Sequence, residues 1–344
     1  MSIVVRNFQA EDAGEWDAFV QQHPYGTVFH LTAWKRCIEK TFAFRSTYLV
    51  ATAGGEIEGV LPLFLVQNPI LKKALISVPF AVYGGILADS DGVLHALYDQ
   101  ANALGRELGV EYIDLRNGYP EQAPAPSNVS QYATFTKTLS GTEEELLETL
   151  PKKTRNMVRK ALKTPFKTKV ETEDITNFES LHSRTLRRLG TPSFPKEHFR
   201  AILANFRGKV DIREVVLNDR VMAVSMNFYF RGNMHTYYAA ADPEFSALAP
   251  NTYMYFDHLR WAGQNGYEIF EFGRSKKGTG PFEFKTHWGT EMRELPYNMV
   301  LVRGTQVPNY SPTNSKFSLA IDLWRRLPLP VTRVLGPKLI RMFP

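Results

Sequence analysis

The sequence predicts an α+β fold: two tandem domains, each a mixed, mainly antiparallel sheet flanked by helices. At 344 residues the chain exceeds what one hydrophobic core usually organises. Its strand-like runs form meanders joined by loops too short for parallel crossovers. The order meander, helix ending near glycine, strand also occurs twice at an offset of about 158 residues, with YDQANALGRELGVEYIDLR over FDHLRWAGQNGYEIFEFG and EIEGVLPLFLV over RVMAVSMNFYF.

From the amino terminus, EDAGEWDAFVQQH and LTAWKRCIEKTF read as amphipathic helices, the second with Trp34, Cys37 and Ile38 on one face. STYLVATAGGEIEGVLPLFLVQ is a hairpin signal around Ala-Gly-Gly, and KALISVPFAVYGGILAD supplies further strands. DGVLHALYDQANALGRELG predicts a helix closed by Gly109, then VEYIDLR a buried strand. Glu143 to Lys163 reads as helix, with Met157, Val158, Ala161 and Leu162 on one side and Lys152, Arg155, Arg159 and Lys163 on another. KVDIREVVLNDRVMAVSMNFYFRGNMHTYYAAAD predicts a three-strand meander turning at Asn218-Asp219 and Gly232-Asn233, followed by the helix NTYMYFDHLRWAGQNG and the strand YEIFEFG. The expected domains are 1–140 and 141–303, the second including the basic helix 152–163, with a basic and apolar tail over 304–344.

Charge is unevenly distributed. The net value is +6, yet Pro151–Lys169 alone carries eight basic residues and no acid, and Thr305–Pro344 carries six against Asp322. Two segments are therefore expected to meet anionic partners. The single cysteine, Cys37, excludes an intrachain disulfide and a multi-cysteine metal site. The eight histidines form no H-x-x-x-H or H-E-x-x-H, so no metal site is expected. With no secretory leader and no apolar run of about 18 residues, a cytoplasmic protein is expected.

The stretch EFGRSKKGTGPFEFKTHWG, Glu271 to Gly289, sets Arg274, Lys276, Lys277 and Lys285 among glycines after a strand. It is no Walker A loop, because Thr279-Gly280 stands where Lys-Ser/Thr is needed. Its cations suggest an anion cradle, against the plainer reading of a solvated hairpin tip. The alternation of Phe282 and Phe284 with Glu283 and Lys285 reads as a strand that would fix Lys285 opposite the phenylalanines, aimed at a phosphate. Tyr237 and Tyr238 in YYAAAD, with PFAVYGG as the first-domain counterpart, could bind a peptide or amino group or simply pack the sheet.

The duplicated unit, PKKTRNMVRKALK and, above all, GRSKKGTGPFEFKTHWG resemble the FemAB-like branch of the GNAT acyltransferase superfamily, in particular members associated with PEP-CTERM/exosortase and exopolysaccharide loci. The similarity covers about residues 1–303. It implies tandem GNAT-like domains, a cleft between or along them, and transfer of an acyl or aminoacyl group to an amine. The donor, aminoacyl-tRNA or an acyl thioester, would be a co-substrate, and no tightly bound cofactor is expected. The acceptor would be anionic or lipid-linked. The resemblance assigns Lys285 to the phosphate and reacting carbonyl; Arg274, Lys276 and Lys277, read from the cationic loop itself, are expected to hold anionic substrate groups with it. Trp34 and Lys35 correspond to the first-domain acceptor site, and Tyr83 and Gly84 to its acceptor-side loop; Asp89 is out of register with the family's acidic residue. The coiled-coil arm of some Fem proteins is absent, and EFSALAPN, Glu244 to Asn251, lacks the glycines of a usual CoA pyrophosphate loop.

Three readings stay open: this transferase in cell-envelope, peptidoglycan or exopolysaccharide metabolism; a non-catalytic protein binding RNA or another anion through helix 152–163; and an acyl-CoA-dependent N-acetyltransferase. The tail over 313–344 either packs on the body or contacts the inner face of a membrane. The oligomeric state is not encoded in any of these signals.

Overall fold

The computed structural model describes residues 2–69, 72–129, 131–306 and 315–344. Contacts divide the chain into two compact units. One is Met1–Gln131 with Glu294–Ser311 and Arg341–Pro344; the other is Tyr132–Arg293 with Pro312–Ile340.

The first unit contains β1 (Val4–Asn7), α1 (Ala13–Gln22), α2 (Thr32–Phe42), β2 (Arg45–Ser46), β3 (Leu49–Ala53), β4 (Glu56–Leu61), β5 (Phe64–Asn68), β6 (Lys72–Ile76), β7 (Leu87–Ala88), α3 (Asp91–Leu108) and β8 (Tyr112–Leu115). One sheet runs β1-β3-β4-β7; in the other, β2, β5, β6 and β8 are completed by the late strand Asn298–Leu301. All its pairings are antiparallel except β6 with β8, where α3 provides the crossover. The Gly54-Gly55 turn has φ of 62° and 97° and closes the expected hairpin. Helix α3 is capped by Ser90, whose Oγ accepts from Val93 N, and ends at Gly109 in the left-handed region. It buries Val93, Leu97 and Ala101 against Leu49, Leu61, Leu75 and Ile113. The further strands expected in KALISVPFAVYGGILAD extend only through β6 and β7. Between them the chain wraps Arg116, which takes up the Val78 and Ala81 carbonyls that a sheet neighbour would otherwise bind.

The second unit contains β9 (Tyr132–Thr138), α4 (Glu143–Glu148), α5 (Lys152–Ala161), β10 (Lys167–Glu171), α6 (Thr176–Leu189), α7 (Lys196–Asn205), β11 (Val210–Leu217), β12 (Arg220–Phe230), β13 (Asn233–Ala241), α8 (Pro250–Gln264), β14 (Ile269–Glu271), β15 (Ser275–Lys276) and α9 (Gly280–Thr286), then α10 (Ser315–Arg326) and α11 (Leu329–Ile340). The sheet order is β10-β11-β12-β13-β14-β9-β15. As predicted, β11–β13 form a meander; Asn218-Asp219 and Arg231-Gly232 occupy the positive-φ turns, the second one residue earlier than expected. β13 and β14 are parallel, joined through α8.

Glu143 to Lys163 is two helices rather than one. Pro151 lacks the N–H a continuous helix needs and instead precedes the first turn of α5. On α5, Val158 and Ala161 are buried, while Met157 is 40% exposed and stands outside the apolar side expected for it. The tail helices α10 and α11 pack on the second unit. Residues 307–314, with the start of the 313–344 segment, lie outside the described residues.

Candidate active site

In the second unit, β13 and β14 pair over three positions, Asn233 with Ile269, Met234 with Phe270 and His235 with Glu271. There β14 ends, whereas β13 continues to Ala241. A register shift against β12 leaves Tyr237 as the extra residue between Thr236 and Tyr238, so β13 bends where its partner stops. The two strands therefore diverge beyond His235 and Glu271.

The Gly-rich stretch folds onto this end. Gly273 adopts φ 74°, and a Cβ added there would lie 2.8 Å from His235 Nε2, so glycine alone lets the turn and the imidazole coexist. Arg274 stacks its guanidinium 4.7 Å over the Tyr132 ring, and Ser275–Lys276 pair with Ala133 and Tyr132 of β9. Thr279 Oγ1 donates to the Lys276 carbonyl at 2.7 Å, just before α9 begins with Gly280 and Pro281.

Helix α9 corrects the strand predicted for PFEFK. At a period of 3.6, Lys285 shares a face with Phe282 three residues earlier instead of opposing it. Both point inward: Phe282 packs edge-on to Phe135 at 5.1 Å, and Lys285 Nζ sits 6.0 Å from the same ring. Lys285 is only 8% exposed and donates to the carbonyls of Gly273 at 2.9 Å and Arg274 at 3.0 Å. Burial, reinforced by the Arg274 charge and opposed by Glu271, lowers its pKa to about 7. A strongly perturbed amine where two parallel strands diverge marks a functional candidate.

Sequence reasoning missed the neighbouring pair. His235 Nδ1 lies 3.0 Å from Glu271 Oε2, both largely buried, and the Tyr237 ring stands edge-on to the imidazole at 5.2 Å. Its signal was the parallel pairing of two strands that had each been read, since register alone brings the third residue of one to the third of the other.

The remaining candidates separate. Tyr238 is buried among Phe194, Phe199 and His182, and its hydroxyl meets His198 Nε2 at 3.0 Å; burial lowers His182 to about 4 and His198 to about 3, so both stay neutral. Lys276 is in β15, and Lys277 follows it in the turn. The other four belong to the first unit. Trp34 is fully buried with Nε1 donating to the Pro79 carbonyl at 3.3 Å, and Tyr83 is 4% exposed. A Cβ at Gly84 would meet Val78 at 1.7 Å, and Lys35 pairs with Glu39 at 2.9 Å. Asp89 lies 4.0 Å from His23 Nε2. Among the described residues, no cluster of three or more His, Cys, Asp or Glu is arranged to hold a metal.

A meander, a crossover helix and a parallel strand that diverges from its neighbour are the arrangement of a GNAT-like fold. The family model described as "Acetyltransferase (GNAT) domain" matches residues 152–286. The lipid II:glycine glycyltransferase of Staphylococcus aureus is 21% identical over 384 aligned positions, covering 81% of this chain and 89% of that protein. Its Staphylococcus epidermidis counterpart is also 21% identical, covering 81% and 88%. The crystal structure of FemX superposes with a TM-score of 0.68 at 18% identity, over 87% of this chain and 98% of that one. A tandem GNAT protein from the clavulanic acid biosynthesis pathway gives 0.54 at 12% identity, over 90% and 100%. Residues 152–286 thus match a GNAT acetyltransferase domain, and the chain is similar over most of its length to FemAB-type glycyltransferases, which supports a transferase of that kind.

Proposed function

We propose that the protein transfers an aminoacyl group from an activated ester, aminoacyl-tRNA in the first instance, to the amine of a lipid-linked, diphosphate-bearing precursor in cell-envelope synthesis, at the inner face of the membrane. The observation that carries this reading is Lys285, buried with a pKa of about 7 on the Gly273 and Arg274 carbonyls at the end of β14. The curated relatives' names as lipid II:glycine glycyltransferases support the acceptor class. A glycan precursor from an exopolysaccharide or PEP-CTERM locus would offer the same amine and diphosphate chemistry.

In the reaction the acceptor nitrogen attacks the ester carbonyl, a C–N bond forms, and the C–O bond to the tRNA ribose breaks. The amine proton leaves with the released hydroxyl. Lys285, as the ammonium, would donate to the carbonyl oxygen as negative charge develops, which is where a fixed donor contributes most. Arg274, Lys276 and Lys277 would hold donor or acceptor phosphates, and Tyr237 would orient the amine beside His235 and Glu271. Of the first-unit candidates, Lys35 offers polar surface to an acceptor, while Trp34, Tyr83 and Gly84 would act through the backbone they support. Acyl-CoA is the weaker donor candidate, because α8 follows Ala249, at φ 57°, where the usual pyrophosphate loop has glycine.

Incubation of the purified protein with aminoacyl-tRNA and a lipid-linked amine acceptor, read by mass spectrometry, tests the proposal. One added aminoacyl residue is expected with the wild type and none with Lys285→Ala; transfer from acyl-CoA alone would overturn the donor assignment.

A further inference from the structure

Helices α10 and α11 attach to the second unit by one face each. Ile321 lies against Gly190, Trp324 Nε1 donates to the Thr191 carbonyl at 3.2 Å, Gly336 abuts Ser193, and Arg333 reaches Glu179 at 3.4 Å. Opposite this seam, water-facing positions should be polar. They are instead aliphatic: Leu319 and Leu323 on α10 are 84% and 63% exposed, and Val331, Val334 and Leu335 on α11 are 38%, 66% and 39% exposed. At helical spacing Arg326 joins the first face and Lys338 the second.

A second feature adjoins this face. A cavity of about 340 Å³ between α6 and the tail helices is lined by Arg184, Arg187, Arg188 and Arg325, with Leu181 and Leu329. Arg184 engages Asp242 at 3.5 Å and Arg325 engages Asp322 at 3.3 Å. Arg187 donates to the Arg325 carbonyl at 3.3 Å, and its Nε is buried without a partner. Four guanidiniums against these two carboxylates leave positive charge around a space large enough to admit a phosphate with part of its headgroup.

We propose that α10 and α11 form a docking surface for an anionic bilayer, the aliphatic faces sinking into the headgroup–acyl boundary and the arginine cavity taking a phospholipid phosphate. The inference deepens, and rests on, the reading of a lipid-linked acceptor, which gives such a surface its use. Charge selects the occupant: a protein partner would favour aromatic anchors over a basic Leu/Val face, and RNA would need exposed rings for base stacking. Among the described residues no helix is long and apolar enough to cross a membrane, so the contact is with one leaflet.

Flotation of the purified protein with phosphatidylcholine vesicles, with and without phosphatidylglycerol, tests this. The wild type is expected to float with the anionic vesicles only. Leu323→Glu with Val334→Glu should lower binding about tenfold or more, and Arg187→Gln with Arg188→Gln about 10- to 30-fold. Unchanged circular dichroism melts would exclude misfolding, and the Leu323→Glu, Val334→Glu protein should still act on a detergent-solubilised acceptor. Equal binding to both vesicle types, no binding, or a dimer in light scattering that Leu323→Glu dissolves would overturn the proposal. Vesicle binding without any transfer would leave the docking surface standing and remove the transferase substrate reading; transfer without vesicle binding would do the reverse.

Discussion

The parallel pair β6 and β8 in the first unit and the pair β13 and β14 in the second start alike and end differently. Each brings together three residue pairs, and at the third position Ile76 faces Asp114 in one whereas His235 faces Glu271 in the other. In the first unit the chain closes its own strand end. Arg116 donates to Asp114 at 3.0 Å, to the Val78 and Ala81 carbonyls and to the Pro344 carbonyl, while Gly84 N donates to the Arg116 carbonyl at 3.0 Å. In the second unit a lysine from α9, with no carboxylate within ion-pairing distance, meets the strand end instead, supported by two carbonyls and carrying a pKa of about 7. The lesson is that a duplicated scaffold does not duplicate chemistry. An arginine that stays charged and has its donors occupied by its own chain is structural; an amine kept near neutrality can respond to a substrate.

The largest effect that would test this contrast is on folding. Arg116→Ala leaves the Asp114 carboxylate buried without its cation and should cost about 3–5 kcal/mol in urea unfolding, lowering activity only in step with the folded fraction. Next, Lys285→Ala should reduce transfer about 10²- to 10³-fold, read as kcat, with a much smaller change in KM. An equal loss from both variants at matched folded fraction would erase the distinction between the units.

pH sharpens it further. Lys285 is an ammonium below about pH 7 and neutral above, so transfer should fall as pH rises through that value, and the inflection should vanish in Lys285→Ala. Because the folded value lies below the 10.5 of an ordinary lysine, the unfolded chain binds more protons between about pH 7 and 10.5. This group's contribution to stability is therefore lost as pH falls across that window; Lys285→Met should flatten the slope. Gly273→Ala combines a positive φ with a clash on His235 and should cost about 1–3 kcal/mol in thermal unfolding. Smallest of all, Lys35→Ala loses a partly exposed helix pair with Glu39 and should change stability by about 0.5 kcal/mol or less, so a raised acceptor KM there would identify substrate contact directly.

The duplication, the hairpin at Gly54-Gly55, the meander turning at Asn218-Asp219 and the helix ending at Gly109 were legible because periodicity and turn chemistry act over a few residues. The same locality misread Glu143 to Lys163 as one helix, although Pro151 marked the break. It also misread PFEFK, where a short alternation fits a strand and a seven-residue helix equally well; Pro281 in the first turn and the packing of Phe282 on Phe135 decided for the helix. The sequence by itself determined the α+β class, the repeated unit and the concentration of cations around Gly273 to Lys285. Tertiary structure alone decided that Lys285 faces inward onto carbonyls 11 and 12 residues back, that His235 meets Glu271, and that the tail shows an aliphatic face outward. Those facts depend on register and burial, which arise only when distant segments exclude water from one another.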